Sequence, residues 1–580
     1  RIRTALATTR RRKRMQTPFS SSFSMSATEA ATSSYIVVGN GPVGSSVAKH
    51  LVALLSESRL ESESELERIS AGKSNNNDGN SEFRSNAHWR SDPPLVTIVD
   101  GRPSGMGSSH ADRARLIRTF DAEGDLQWTR WNQHSLEAFP ELERVWNDPN
   151  HNSNHNNQPR GERKRFFTRC GGLLVGDKDF VERSLRAARG SARTTAQQTF
   201  SSSSSSSSHY STDSLVRLSP LECRSRWPYL RPDPGFDEAI FDPSGGLIDP
   251  LAFVRAQNHA ATAIATANRN PNRRRAAGLE IRPGVVVRIS DGGVVELASG
   301  DVLRATEKVV LCGGAFSNAL LDDSGIDRTA PRVPRPVRVS KRTVALLEVS
   351  PEVVHGMLRD MPTIKYALGE YSDNDDDFDD FAVCCPDHAP QYRRKHKHKH
   401  TNRAKHAILD QSVVEAGSVY VLPPVRYPER DGKWFVKIGG GSNEFFADDR
   451  CQREDLEAWL SSGGRGGVSS STSESSSRLE WLEGILRSLL PGVPLGRAEG
   501  MACVTTVEAP MPMPMPMPTD KTGDDIGIDT CVGTGAGVVL NDALLDDRSL
   551  VMVSACQGKG AGPADAVGRE MARNIILGAR

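Results

Sequence analysis

The sequence predicts an α/β protein opening on a dinucleotide-binding βαβ unit, and three observations carry that prediction. Tyr35-Ile36-Val37-Val38 is a short apolar run of strand character. It leads directly into the glycine turn Gly39-Asn40-Gly41-Pro42-Val43-Gly44, after which Val47, Ala48, Leu51, Val52 and Leu55 recur at helical spacing. A second apolar run, Leu95-Val96-Thr97-Ile98-Val99, ends on the acidic Asp100.

Each part of this unit has a physical task. Gly39 permits the tight turn, Gly41 lets the backbone approach a pyrophosphate, and Gly44 lets helix and strand pack closely, with the helix N-terminus facing the anion. Asp100 is placed to hydrogen-bond a ribose hydroxyl. The usual gap to that residue is about 20 residues, and the polar stretch Glu57–Pro93 accounts for the excess here. The glycines do not distinguish NAD from FAD, because both present the same pyrophosphate. An ordinary βαβ unit with a chance glycine turn is the competing reading.

Composition bounds the rest. Of 580 residues only 37% are hydrophobic and 6% aromatic, against a usual ~45–50% apolar share, so much of the length does not enter a core. Lys and Arg number 73 against 72 Asp and Glu, a net charge of +1. That balance excludes a dominant nucleic-acid or membrane-surface partner. No stretch approaches the ~18 apolar residues of a membrane helix. The nine cysteines, Cys170, Cys223, Cys312, Cys384, Cys385, Cys451, Cys503, Cys531 and Cys556, show neither CxxC spacing nor disulfide-scaffold density. A reducing compartment and mostly unpaired thiols are expected.

Polar segments interrupt the periodic sequence at Glu57–Pro93, Asn150–Lys164, the stretch holding Ser201–Ser208, Ser372–Ala407, Ser461–Ser477 and the Met-Pro repeat Met511–Pro518. They hold too few apolar residues to offset chain entropy, and disordered surface insertions are expected. Within the fourth, Arg393-Arg394-Lys395-His396-Lys397-His398-Lys399-His400 follows an aspartate-rich run. Its cations repel a divalent ion, so it reads as a solvated loop, and no metal site is assigned. The first residues carry Arg1, Arg3, Arg10, Arg11, Arg12, Lys13 and Arg14 with no acid before Glu29. This is the pattern of a mitochondrial or plastid transit peptide, or of a solvated tail on a cytoplasmic protein. What remains is roughly 400 residues, expected as one two-lobed unit.

After Asp100 the sequence becomes more specific. Gly105-Met106-Gly107-Ser108-Ser109-His110 runs into the pair Arg115 and Arg118. Further blocks follow in order: Phe167–Gly176, Arg226-Trp227-Pro228, Ala239–Gly246, Val309–Ser317 and Gly558-Lys559-Gly560. Together these resemble the amino-acid and amine oxidases related to monomeric sarcosine oxidase, in the D-amino-acid oxidase superfamily. The resemblance implies FAD, held in a Rossmann-like domain, and a second, mixed and largely antiparallel sheet as the substrate domain. It also implies an alternating division of the chain. Residues 34–122 (with insertion 57–93), 245–328 and 501–580 would form the FAD-binding domain, residues 123–244 and 329–500 (with insertion 372–407) the substrate domain, and residues 1–33 a leader.

The resemblance also implies site residues. Gly39, Gly41, Gly44, Asp100, Ser109, Gly558 and Gly560 would bind the cofactor, and Cys503, in Cys503-Val504-Thr505-Thr506-Val507, is the candidate for a covalent thioether to FAD. The alternative for Cys503 is a buried free thiol. Lys437 lies in the apolar strand Trp434–Gly439, where a desolvated ammonium would stabilise the charge oxygen gains on reduction; the alternative is an edge-strand lysine facing water. Arg118 matches the arginine that binds the substrate carboxylate, and Arg115 would lie nearer the flavin; a structural ion-pair network is the alternative for both. Tyr420 falls at a pocket tyrosine or is an ordinary strand aromatic.

Two departures stand out. A second carboxylate-binding lysine of that family falls on Gly562, and a histidine falls on Gly441. A roomier, less charged pocket is therefore expected, and sarcosine itself is not a safe substrate assignment. The expected activity is oxidation of a secondary amine or N-alkyl amino acid to an imine, with O2 reduced to H2O2, by a protein that the resemblance implies is a monomer. The alternatives are an amine dehydrogenase with a non-oxygen acceptor and a flavin-binding protein without turnover.

Overall fold

The structure is a computed structural model. It describes residues 31–72, 95–101, 111–149, 163–199, 214–231, 237–267, 278–326, 337–367, 418–441, 444–446, 453–462, 473–508, 539–541, 545, 547–554 and 558–578. The leader to residue 30, Ser109, Ser201–Ser208, Ser372–Ala407 and Met511–Pro518 lie outside the described residues.

The expected βαβ unit organises the first sheet. Strand β1 (Ala31–Val38) lies between β12 (Val302–Leu311) and β2 (Leu95–Asp100), parallel to both, and β2 pairs in parallel with β9 (Gly278–Pro283). On the other side β12 pairs in parallel with β20 (Leu550–Ser554). The strands β10 (Val286–Ser290), β11 (Val294–Leu297) and β19 (Val539–Asn541) add antiparallel edges. Buried on both faces, the central strands read as continuous apolar runs rather than alternating ones. Tyr35 and Val37 pack toward Val47, Leu51 and the helix Ala564–Gly578, while Ile36 and Val38 pack toward Leu303, Leu320 and Met552.

The helix after the glycine turn, α1 (Pro42–Gly72), continues into Glu57–Pro93. Composition assigns that stretch to a disordered insertion, and its first part is helical instead. Glu, Leu and Arg are good helix formers, and extending a helix already nucleated upstream avoids the nucleation cost. The helix Ser473–Leu489 likewise begins inside the stretch Ser461–Ser477.

The second sheet has nine strands: β17 (Glu444–Phe445), β13 (Val337–Val349), β16 (Lys433–Gly440), β15 (Val419–Tyr427), β14 (Thr363–Ala367), β5 (Gly172–Gly176), β7 (Glu238–Asp242) and β6 (Val216–Leu218) in order, with β18 (Ala498–Glu508) on β13. All its pairings are antiparallel except β14 with β5. This is the mixed, largely antiparallel sheet expected beside the Rossmann-like one. A small sheet of β3 (Arg115–Ile117), β8 (Gly246–Ile248) and β4 (Phe167–Thr168) completes the strands of the described residues.

Side chains alternate between the two faces of a strand, and the register of the nine-stranded sheet therefore sorts its residues. One face buries Leu173, Val175, Ala345, Leu347, Ile364, Tyr366, Val419, Val421, Val436 and Ile438 against Leu482, Ile485, Leu486 and Leu489. The intervening residues point the other way, toward β3 and the segment before it. Leu422 and Tyr420 meet Ala114 and Leu116 there. No described helix is long and apolar enough to cross a membrane.

Candidate active site

The glycine turn has the geometry that the spacing requires. Gly39 has φ +108°, and a Cβ there would lie 2.5 Å from the Cys312 carbonyl oxygen. A Cβ on Gly44 would lie 1.9 Å from the Gly39 oxygen, so neither position accepts a side chain without moving the turn. The Gly41 carbonyl accepts from Ser45 N at 2.9 Å, closing the first turn of α1. At the end of β2, Asp100 accepts from Asn40 Nδ2 at 3.1 Å, which ties the acidic residue to the turn. Gly558 (φ +73°) and Gly560 lie in the turn before the helix Ala564–Gly578, and a Cβ on Gly558 would meet Thr505 Cγ2 at 2.9 Å. A backbone turn with no room for a side chain at Gly39 or Gly44 fits a pyrophosphate, and a carboxylate at the strand end fits a ribose.

Four of the expected site residues meet on the polar face of the nine-stranded sheet. In the register, Lys437 stands opposite Leu346 and Leu422, Tyr420 opposite Gly439 and Lys365, and Cys503 opposite Arg342. All of these share one face. β16 lies between β13 and β15, so Lys437 is not an edge lysine; it is 1% exposed. Its ammonium is 5.7 Å from the Tyr420 ring centroid. From β3, Arg115 Nη2 donates toward Cys503 Sγ at 3.7 Å. Trp459 Nε1 donates to the Cys503 carbonyl at 2.9 Å and fixes that part of β18.

Sequence reasoning missed the group that joins these cations. Asp112, 2% exposed, forms ion pairs with both Lys437 and Arg115 through Oδ2. Its Oδ1 accepts from Tyr427 Oη at 2.8 Å and from Arg113 N at 2.7 Å. The Ala114 carbonyl accepts from Lys437 Nζ at 3.0 Å and from Arg115 Nη1 at 2.8 Å. Burial alone would raise the Asp112 carboxyl, but Lys437 and Arg115 more than offset it and hold the group well below the usual carboxylate range. Burial pushes the Lys437 ammonium down to about 8; Arg115 pushes the same way and Asp112 opposes. Burial also disfavours the Arg115 charge, yet Asp112 keeps that guanidinium firmly protonated. The Tyr420 hydroxyl is pushed up by burial and then by Cys503.

Arg118 is not part of this group of contacts. It is 6% exposed, its guanidinium carbon lies 5.7 Å from the Phe120 ring centroid, and its Nε has no hydrogen-bond partner among the described residues. Burial lowers its pKa, while Glu123, Asp121 and Asp242 act in the opposite direction. Two of those acids belong to a further network. Lys559 Nζ is 2.8 Å from Asp121 Oδ1 and 2.9 Å from Glu123 Oε2, and Lys365 pairs with Glu123. Burial, then Glu123, raise the Asp121 carboxyl to about 6 against the pull of Lys559.

The expectation of a roomier pocket fails at both positions that prompted it, and that of a less charged one fails at Gly441. A Cβ on Gly441 (φ +88°) would lie 2.1 Å from Arg478 Nη2 and 3.2 Å from Trp481 Cη2, so that space is filled from another helix. Arg478 Nη2 donates to Gly440 O at 3.2 Å, and Arg342 Nη1 to Gly441 O at 2.6 Å. A Cβ on Gly562 would meet Ile117 Cγ1 at 3.2 Å. Cations reach this region from β13 and from the helix Ser473–Leu489, where local sequence spacing gives no sign of them. The cavity of about 470 Å³ lined by Trp227, Tyr229, Met357 and Pro491 packs with the aliphatic face of the sheet, away from these charges.

Residues 90–377 match the family model described as FAD dependent oxidoreductase, DAO. The chain carries a domain of the FAD-dependent oxidoreductase (DAO) family. FAD is therefore the cofactor of this domain, and the glycine turn and Asp100 are the residues that fit it. Solved structures agree on the fold. NikD, described as an unusual amino acid oxidase essential for nikkomycin biosynthesis, aligns in its open form with 14% identity over 94% of each chain, at TM-score 0.50. A point mutant of NikD aligns over the same shares with 14% identity and TM-score 0.51. No curated protein matches the chain in sequence.

Proposed function

We propose that this DAO-family protein is an oxidase of a secondary amine or N-alkyl amino acid, acting on a small-molecule substrate and O2 as a monomer. The observation that carries the proposal is the buried Lys437 ammonium on the same sheet face as Cys503 and Tyr420. FAD, when bound, supplies the two-electron acceptor. The C–H bond next to nitrogen leaves as a hydride equivalent and the N–H proton goes to solvent, so the substrate becomes an imine, which water hydrolyses. O2 takes up the two electrons with two protons and leaves as H2O2.

The chain's own residues then have separable tasks. Lys437, with one N–H beyond its two hydrogen bonds, offers a positive charge where oxygen becomes negative. Arg118, buried with an Nε that has no partner among the described residues, is the proposed carboxylate anchor, and Tyr420 a wall of the pocket. Cys503 is the proposed thioether tether, with Arg115 beside its sulfur. Ser109 remains a proposed cofactor contact.

The test is purification with flavin bound, anaerobic mixing with secondary amines and N-alkyl amino acids, and admission of air. Bleaching by a substrate followed by rapid recovery with H2O2 release is expected. Bleaching with sluggish recovery would replace the oxidase by a dehydrogenase, and no bleaching by any amine would remove the proposed reaction.

A further inference from the structure

We propose that Asp112 is a positioning residue for the oxygen half-reaction: it holds the Lys437 ammonium charged and fixes which of its N–H bonds remains available. The inference rests on the oxidase reading above, because it assigns Asp112 a role through Lys437. Three observations carry it. The carboxylate takes one Lys437 N–H and the Ala114 carbonyl takes a second at 3.0 Å, leaving the third with no hydrogen-bond partner among the described residues. The carboxylate is itself held at three further points, by Arg115, by Tyr427 Oη at 2.8 Å and by Arg113 N at 2.7 Å, so it cannot turn to follow the lysine. Both members are almost fully buried, at 1% and 3% side-chain exposure, so water cannot replace either partner.

Beyond burial, the charges around Lys437 decide which way removal of Asp112 moves it. Arg115, from β3, repels the ammonium; Asp112, from the segment before β3, attracts it. Cys503 on β18, and Tyr420 and Tyr427 on β15, present groups that are neutral unless ionised, and Arg342 on β13 adds a further cation near Cys503 and Tyr420. Among the described residues Asp112 is thus the one carboxylate in direct contact with the lysine. Without it a buried ammonium beside an arginine would lose its proton near neutral pH. Tyr427 modulates the pair: its donated hydrogen bond draws charge from the carboxylate that Lys437 would otherwise feel.

The experiment uses flavin-loaded enzyme, reduced with dithionite and mixed with oxygen across a pH series, so that no amine substrate is needed. The visible spectrum of the resting oxidised enzyme is titrated over the same range as a second readout, independent of turnover. In Asp112→Asn both midpoints should fall by about one pH unit or more, with Asp112→Glu restoring them toward the parent protein. Tyr427→Phe, which keeps the carboxylate, should move them upward. Unmoved midpoints in Asp112→Asn, or in Tyr427→Phe should Asp112→Asn not fold, overturn the inference, provided that Lys437→Met reoxidises slowly. Fast reoxidation of Lys437→Met would instead sink the oxidase reading on which it stands, and the two failures are thereby distinguished.

Discussion

A Cβ on Gly172 would lie 2.8 Å from Cγ of Arg118, so the absence of a side chain at this position of β5 is what gives the stem of this buried arginine its place. Gly172→Ala should push Arg118 off its position and cost about 1–3 kcal/mol in stability, as overpacking does. Chemical denaturation measures the cost. If Arg118 anchors the substrate carboxylate, KM for a carboxylated substrate should rise while the oxygen half-reaction is unchanged; an unchanged KM would leave Arg118 without that role.

Gly44→Ala tests the cofactor cradle. The added carbon meets the Gly39 oxygen at 1.9 Å, and either the turn or the helix start must give way. The protein should fold and yet retain little flavin, read as the ratio of visible to ultraviolet absorbance after gel filtration. Full flavin retention would show that the pyrophosphate does not lie on this turn.

Cys503 is tested by acid precipitation. Flavin should remain with the pellet of the parent protein and appear in the supernatant of Cys503→Ser. Flavin released from both would leave Cys503 as an untethered thiol beside Arg115.

The oxygen half-reaction should depend on pH in a stated direction. Burial brings Lys437 down to about 8, so the charged form dominates below that value. Reoxidation should be fast and level below about pH 8 and should slow as pH rises through it. Lys437→Met should be slower by about 100-fold, the usual order for removing one preorganised donor, and should lose this pH dependence. A parent rate that increases through pH 8 would contradict the role.

Away from the site, Asp565 links α1 to the C-terminal helix. It pairs with Lys49, accepts from His50 Nε2 at 3.3 Å and from Gln257 Nε2 at 2.8 Å. Burial opposes its charge, but Lys49 and His50 hold its carboxyl well below the usual range. A depressed carboxylate contributes stability that is present above the unfolded value of about 3.9 and is lost as pH falls toward the folded one. Asp565→Ala should cost about 3–5 kcal/mol near neutral pH, since it leaves a buried cation unpaired, and the deficit should shrink in acid. A deficit independent of pH would point to packing alone.

How much of this was legible in the sequence depended on distance along the chain. The βαβ unit follows from local periodicity and from glycines within one turn. Lys437 and Cys503 stand in recognisable blocks, and the strands that carry them place both on one face. Asp112 could not be found this way, because its partners Tyr427 and Lys437 lie 315 and 325 residues further on. The same holds for Arg478, which fills the space at Gly441 from a separate helix. Composition also misjudged Glu57 onward, where sparse apolar residues signal exposure, and exposure does not prevent a helix.

The alternation of β16 makes its reading frame a functional constraint. Deleting a single residue ahead of Lys437 would turn that ammonium into the packing against Ile485 and Leu486, and would present an aliphatic residue to Asp112 instead. A loop can lengthen at modest entropic cost, whereas one residue gained or lost inside β16 would remove the chemistry and the core together.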